Sequence, residues 1–518
     1  MTVSPHPFHP RHCCRCAPQL LALALATLLA GCNVGPNFVR PTAQTPAHWS
    51  DPAGVGGPEA LARDSTTTQQ SADLRRWWAD FNDPTLSSLI ERAVDSNLDL
   101  RVAVLRIEEA RAQRDVTGAS LWPNLAANAS YTRTRLSETT PTGSLFNSIG
   151  AIKIPGAAGI SIPNPYDQYQ LGAEVSWELD LFGHVRRSIE AADASIEESV
   201  EDQHAALVSL LGDVARNYIE LRGAQSSKAT AEQNIATDTE LLELTRLRRS
   251  AGLTSDVDVV EASAQLSATR AQVPAFDLAI TQAMNQLSHL LGQQPGALRL
   301  ELDTAAAIPP LPSTVPIGLP AELARRRPDI RKAEAALHVA TAEIGLAVAA
   351  LYPRLTLTGS GGFQSETIGE LAQWASRFGS FGPTLELPVF DRGRWKTIPL
   401  QNVRAKEAAV AYASTVLNAL QEVENARAAY DADQDRRAWL ESTVEQNRDA
   451  LSLTRQRYAS GVANFIDVLD AERTLQQNQL SLAQSSTVVG DDLVSLYRAL
   501  GGGWEQSGNR VPPFPAGE

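Results

Sequence analysis

The chain is written twice. Laid over itself at a shift of 209, Leu244-Thr245-Arg246 meets Leu453-Thr454-Arg455, Gly252 meets Gly461, Asp258-Val259 meets Asp467-Val468, and Leu291-Gly292 meets Leu500-Gly501, with no gap. Upstream, at a shift of 230, Asp99-Leu100-Arg101 meets Asp329-Ile330-Arg331, and Leu121-Trp122-Pro123 meets Leu351-Tyr352-Pro353. The fall in shift places extra chain in the first copy, between these two blocks. A period near two hundred residues is too long for a solenoid unit, so the duplication describes two similar halves of one architecture.

The N-terminus carries an address. Arg11 and Arg15 precede an apolar run, Leu20 to Leu29, which has the length of a signal-peptide core and is too short to span a bilayer. It ends at Leu29-Ala30-Gly31-Cys32, which resembles the bacterial lipoprotein signal and implies removal of residues 1–31 and acylation of Cys32, with S-diacylglycerol on the thiol and an N-acyl chain on the new amino group. The other cysteines, Cys13, Cys14 and Cys16, lie in the segment to be removed, so the mature chain would keep neither a disulfide nor a cysteine metal site. Removal also discards two positive charges and moves the formal net charge from −14 to −16, which argues against nucleic acid as a partner. No later apolar run has the length of a membrane helix. Any crossing must therefore be made by strands.

Each half joins long helical patterns to two short alternating segments. Residues 32–82 read as an extended arm, 83–292 as the first repeat, 293–320 as a Pro-rich linker, 321–503 as the second repeat and 504–518 as a tail. In the first repeat, Leu171, Ala173, Val175, Trp177 and Leu179 alternate with polar or acidic residues, giving an expected strand at about 169–181 with a partner at about 125–135. The second repeat predicts strands at about 354–363 and 382–390. Each strand has about the ten residues of a tilted membrane strand, yet four strands are too few to close even an eight-stranded barrel. Glu174, Glu178 and Glu386 must face water. Several chains lending four strands each to one wet-centred barrel satisfy both demands, and three chains would give twelve. After each strand pair the pattern is helical for nearly seventy residues, on the order of 100 Å, within hairpins expected at 184–291 and 394–500. Gly252 and Gly461 fit the left-handed cap at each reversal. Pro274 should interrupt the first return helix, and its counterpart Ala483 should not.

Several motifs together resemble one family. Trp77-Trp78 with Phe81 and Asp83-Pro84, Asn97-Leu98-Asp99-Leu100, Trp177-Glu178-Leu179-Asp180-Leu181-Phe182-Gly183, Arg327-Pro328-Asp329-Ile330, and the terminal Tyr497-Arg498-Ala499-Leu500-Gly501-Gly502-Gly503-Trp504 are similar to the lipoprotein (OprM/NodT-like) branch of the TolC-like outer membrane efflux factors. Cys32-Asn33-Val34-Gly35-Pro36 is similar to the mature start of that branch. The resemblance implies a mostly α fold with a small β part: a homotrimeric twelve-stranded barrel in outer membrane lipid, continued by an α-helical barrel through the periplasm. It implies a passive exit duct for drugs or other small toxic compounds, with a periplasmic adaptor and an inner-membrane pump of the RND type as partners, and no cofactor beyond the covalent lipid.

A duct needs a closed resting state, expected at the hairpin tips. By resemblance, Ile466 and Asp470 match constriction positions, and Tyr458 and Arg473 match residues that bind neighbouring helices when closed. Ile466, Asp470 and Arg473 are spaced four and three apart, hence on one helix face. A ring of three aspartates at an aperture favours cations or opening. Asp467, Asp256 and Asp258 are further gate candidates. No enzyme constellation stands out: the paired carboxylates Glu108-Glu109 and Glu197-Glu198 lie in helical stretches as solvated faces. The competing readings are a periplasmic structural coiled-coil lipoprotein, a type I secretion exit channel and a cell-envelope hydrolase, for which no nucleophile is preferred.

Overall fold

The computed structural model describes residues 33–43, 45–50, 64–71, 73–141, 144 and 164–507. The signal segment 1–31, Cys32 and the tail from 508 onward lie outside the described residues. In chain order the elements are β1 (Thr66–Thr68), α1 (Pro84–Ser96), α2 (Leu98–Gly118), β2 (Asn124–Thr134), β3 (Tyr166–Leu179), α3 (His184–Ser250), α4 (Asp256–Arg270), α5 (Val273–Leu290), a short α6 (Arg299–Leu302), β4 (Thr314–Pro316), α7 (Pro320–Arg326), α8 (Pro328–Ala349), β5 (Arg354–Ser365), β6 (Arg377–Glu386), α9 (Arg392–Ala459) and α10 (Phe465–Ala499). The repeat is visible in these bounds, since α2 and α8, and β2 and β5, begin 230 residues apart. Helices α3 and α9 hold 67 and 68 residues, about 100 Å each.

The chain forms two compact units. One contains Arg111–Ser195, Leu337–Glu407 and the chain up to Val39; the other contains Arg40–Ala110, Ile196–Ala336 and the chain from Ala408.

The first unit holds an antiparallel four-stranded sheet in the order β2-β3-β5-β6. The copies meet at its centre, where β3 pairs with β5 from Tyr169↔Ser365 to Leu179↔Leu355. The register puts Leu125, Ala127, Leu171, Val175, Trp177, Leu355, Leu357, Phe381 and Leu385 on one face. Asn128, Ser130, Gln170, Glu174, Glu178, Thr356, Ser360, Ser380 and Glu386 occupy the other. Here the arm is also fixed. The Val34 N–H donates to the Phe182 carbonyl at 3.4 Å, and the buried Arg187 donates to the Val34 and Gly35 carbonyls and to Asn37 Oδ1, at 3.1, 3.3 and 2.8 Å.

The last strand lies further upstream than its alternation suggests. Its ladder runs from Arg377 to Glu386 rather than 382–390: the glycine-bearing stretch around Gly379 and Gly382 is drawn into the ladder opposite Gly361 and Thr358, and Pro383 is accommodated within it because β6 is an outer strand. The expected break in the first return helix is present: α4 stops at Arg270 and α5 starts at Val273, with Pro274 in its first turn, whereas α10 runs unbroken for 35 residues. Pro399, inside α9, does not stop that helix. Arm and linker are more ordered than their composition suggests, since β1 and β4 pair in parallel, Thr66↔Thr314 to Thr68↔Pro316, and the linker also carries α6.

The core of the second unit gathers the shared motifs. Trp77 stacks on Tyr497 at 5.1 Å, edge-on to Trp78 and Phe81, and the Tyr497 hydroxyl donates to Asp80 at 2.7 Å. Asp83 caps α1 through the N–H groups of Thr85 and Leu86, and its other oxygen accepts from the Tyr218 hydroxyl at 2.8 Å. Arg327 is buried between Asp329, Glu422 and the Ala499 carbonyl, at 2.7, 2.6 and 2.8 Å.

Candidate functional site

The two hairpin tips are built by the same device, which explains why the sequences align there without a gap. Helix α3 ends with the Leu253 N–H on the Arg248 carbonyl at 2.9 Å and Gly252 at φ 74°; α9 ends with the Val462 N–H on the Arg457 carbonyl at 2.9 Å and Gly461 at φ 77°. Each return helix then starts on a capping box. The Asp258 carboxylate accepts from the Ser255 N–H at 3.1 Å, and the Asp467 carboxylate accepts from the Asn464 N–H at 2.9 Å. Asp258 and Asp467 are thus occupied as caps. Burial pulls the Asp258 carboxyl upward, but hydrogen bonds from Thr254 and Ser255 outweigh it and hold the group below its ordinary range. Asp256 is gripped by both ends of the Arg249 guanidinium, at 2.7 and 2.8 Å, which holds it low as well.

The remaining tip residues are arranged differently. Ile466 is 40% exposed on the first turn of α10. One turn on, Asp470 is largely exposed and lies 3.7 Å from Arg473 Nη1. Arg473 reaches the first hairpin, its Nε donating to Gln265 Oε1 at 2.8 Å. Tyr458 lies under the Arg248 guanidinium, 4.4 Å from the ring centroid, and packs near Phe465. Arg248 and Gln265 were not singled out in the sequence; each is an ordinary polar residue in a helical run, and no spacing signal marks it.

On the sheet, Glu174, Glu178 and Glu386 share the polar face, but two of them have cationic neighbours that the alternation alone did not bring out. Arg354 bonds Glu178 and stands opposite Glu386 in the ladder, while Arg394 lies 3.4 Å from Glu386. Among the described residues no group of His, Cys, Asp and Glu is arranged to hold a metal, and no helix is long and apolar enough to cross a membrane. The sheet has two outer strands, β2 and β6, each with a single neighbour.

The family model for outer membrane efflux proteins matches residues 89–293 and 319–502. Outer membrane protein OprJ of Pseudomonas aeruginosa is 33% identical over 498 residues, 95% of this chain and 97% of its own. Toluene efflux pump outer membrane protein TtgI of Pseudomonas putida is 32% identical over 485 residues, 93% of this chain and 97% of its own. Among solved structures, the outer-membrane channel OprN superposes with a TM-score of 0.78 at 33% identity, covering 92% of this chain and 100% of that one.

Proposed function

This chain belongs to the outer membrane efflux protein family, and we propose from that premise how its residues build and close an exit duct. It is an outer membrane component of an efflux system that reaches through the periplasm, and it is a channel rather than a catalyst. The observation that carries the duct is the sheet: four strands with one apolar and one polar face and two outer edges open to further pairing. Backbone N–H and C=O groups cannot remain unpaired in lipid, so copies of the chain complete the wall, and three copies bring twelve strands. The face with Glu174, Glu178 and Glu386 lines the water-filled interior. A coiled-coil lipoprotein that never enters lipid has no use for such a sheet.

A periplasmic adaptor and an inner-membrane pump of the RND type complete the route, and the lipid on Cys32 tethers the chain to the membrane. The cargo class that best suits the chain is small toxic compounds, including apolar solvents of the kind named for the toluene pump relative. Closure lies at the second hairpin. Ile466 and Asp470 form the constriction and Arg473 and Tyr458 brace it, whereas Asp258 and Asp467 hold the turns and Asp256 pairs with Arg249. Replacing Asp470 by Ala should leave trimers intact and raise the conductance of purified channels in planar bilayers; an unchanged conductance removes Asp470 from the gate.

A further inference from the structure

We propose that Arg473 is positioned from inside the helical core, by a hydrogen-bonded latch anchored on the buried carboxylate of Asp238. The proposal rests on the gate reading above and adds residues that lie away from the constriction.

Asp238, on α3, is 1% exposed. Its Oδ2 accepts from the Thr269 hydroxyl on α4 at 2.6 Å, and its Oδ1 accepts from Gln476 Nε2 on α10 at 2.7 Å. Gln476 Oε1 accepts from Gln265 Nε2 on α4 at 2.9 Å, and Gln265 Oε1 accepts from Arg473 Nε on α10 at 2.8 Å. The route therefore crosses between the two hairpins three times before it reaches the residue beside Asp470. One turn from these bonds Glu472, 3% exposed, accepts from Arg455 Nη2 on α9 at 2.6 Å, so α3, α4, α9 and α10 all contribute to the polar layer. Burial, countered by Arg455 and with Asp238 nearby, pushes the Glu472 carboxyl above its ordinary range.

Chemistry fixes the direction of every link. Arg473 can only donate, so Gln265 must present its carbonyl to it and turn its NH2 toward the Gln476 carbonyl, which leaves the Gln476 NH2 to donate to Asp238. Apolar packing, whether between the hairpins or within one, has no such polarity. The cluster of Leu242, Leu266, Phe465 and Leu469, and that of Val444, Leu451, Val468 and Leu475, would tolerate small sliding of the helices. The polar layer would not, because a shift that breaks one link leaves a buried acceptor bare. It therefore gives the hairpins one preferred register, and a pull on Arg473 has to break that register to swing the second hairpin outward.

The test is Gln476→Leu, which touches neither Asp470 nor Arg473. Trimers checked by gel mobility and thermal melting are placed in planar bilayers beside the unaltered channel, Asp470→Ala, Arg473→Ala and the double variant Gln476→Leu/Arg473→Ala. Gln476→Leu should raise the open fraction about tenfold, the scale expected when a link worth about 1.4 kcal/mol is lost. The double variant should open no further than Arg473→Ala alone, because both act through one route. Unaltered conductance in Gln476→Leu while Asp470→Ala leaks would overturn the latch and leave the gate standing; additive opening in the double variant would also overturn it. If Asp470→Ala itself stays closed, the gate reading is what fails. Should Gln476→Leu not assemble, Asp238→Leu, which removes both acceptors, takes its place with the same expectations.

Discussion

Asp491 and Asp492, consecutive residues on α10, carry two acids into the partly buried interior of the second unit. Asp491 faces Arg216 and Glu220 of α3, Asp492 faces Asp433 of α9, and one oxygen of each is buried without a hydrogen-bond partner. Burial, reinforced by Glu220, pushes the Asp491 carboxyl up to about 7 against the pull of Arg216; burial and Asp433 push Asp492 to about 7 likewise. The native pKa lies above the unfolded one, so the native state holds more protons across the window between them. The stabilising contribution is then complete below about pH 4 and is lost as pH rises through 7. Asp491→Asn should raise stability at pH 8 by on the order of 1 kcal/mol and change little at pH 4. Melting of the trimer at both values checks this, and equal stabilisation at both would refute it. Such residues were illegible in the sequence. In a helical run an acid bound for solvent and one bound for the core look alike, and nothing in the local sequence marks Asp238 or Glu472 as buried.

At the scale of elements, what the sequence made legible is what local chemistry controls. The glycine reversals, the division of the first return helix at Pro274 and the four strands all follow from backbone rules acting within a few residues. The limits of β6 depended on glycines that a paired neighbour draws into the ladder, and pairing is not local. The order of α6, β1 and β4 within Pro-rich stretches likewise comes from partners far along the chain. Gly252 and Gly461 allow a quantitative check. Both sit at positive φ, 74° and 77°, and a methyl group added at either would touch nothing within 4 Å. Alanine at each should therefore cost only the left-handed backbone penalty, about 1 kcal/mol, and the two losses should be equal. Urea unfolding of the two variants measures this; a clearly larger loss at one tip would mean that something packs against it.

For the molecule as a whole, oligomerisation is a requirement of the sheet rather than an embellishment. Cysteines placed at Ser130 on β2 and Ser380 on β6, and at their immediate neighbours along each strand, should cross-link between chains up to a covalent trimer and no further. In a Cys32→Ala background the same ladder should form at lower yield while palmitate labelling disappears. Products confined to one chain, or complete loss of the trimer without Cys32, would contradict this assembly. That more than one chain is needed was legible from strand count and length, since four segments cannot close a barrel; the number three came from the family resemblance. How the wall balances its charge was not, because Arg354 and Arg394 meet Glu178 and Glu386 only once the ladder is in register.

The grip of Arg187 on residues 34, 35 and 37 has a mechanical meaning for whatever residue 32 carries. Consecutive Cα atoms are 3.8 Å apart, so any acyl group on residue 32 would be tied two links from Val34, which is itself fastened to Phe182 just beyond the end of β3. Such an attachment would act less like a buoy on a rope than like a rivet, setting the height of the strands in the bilayer.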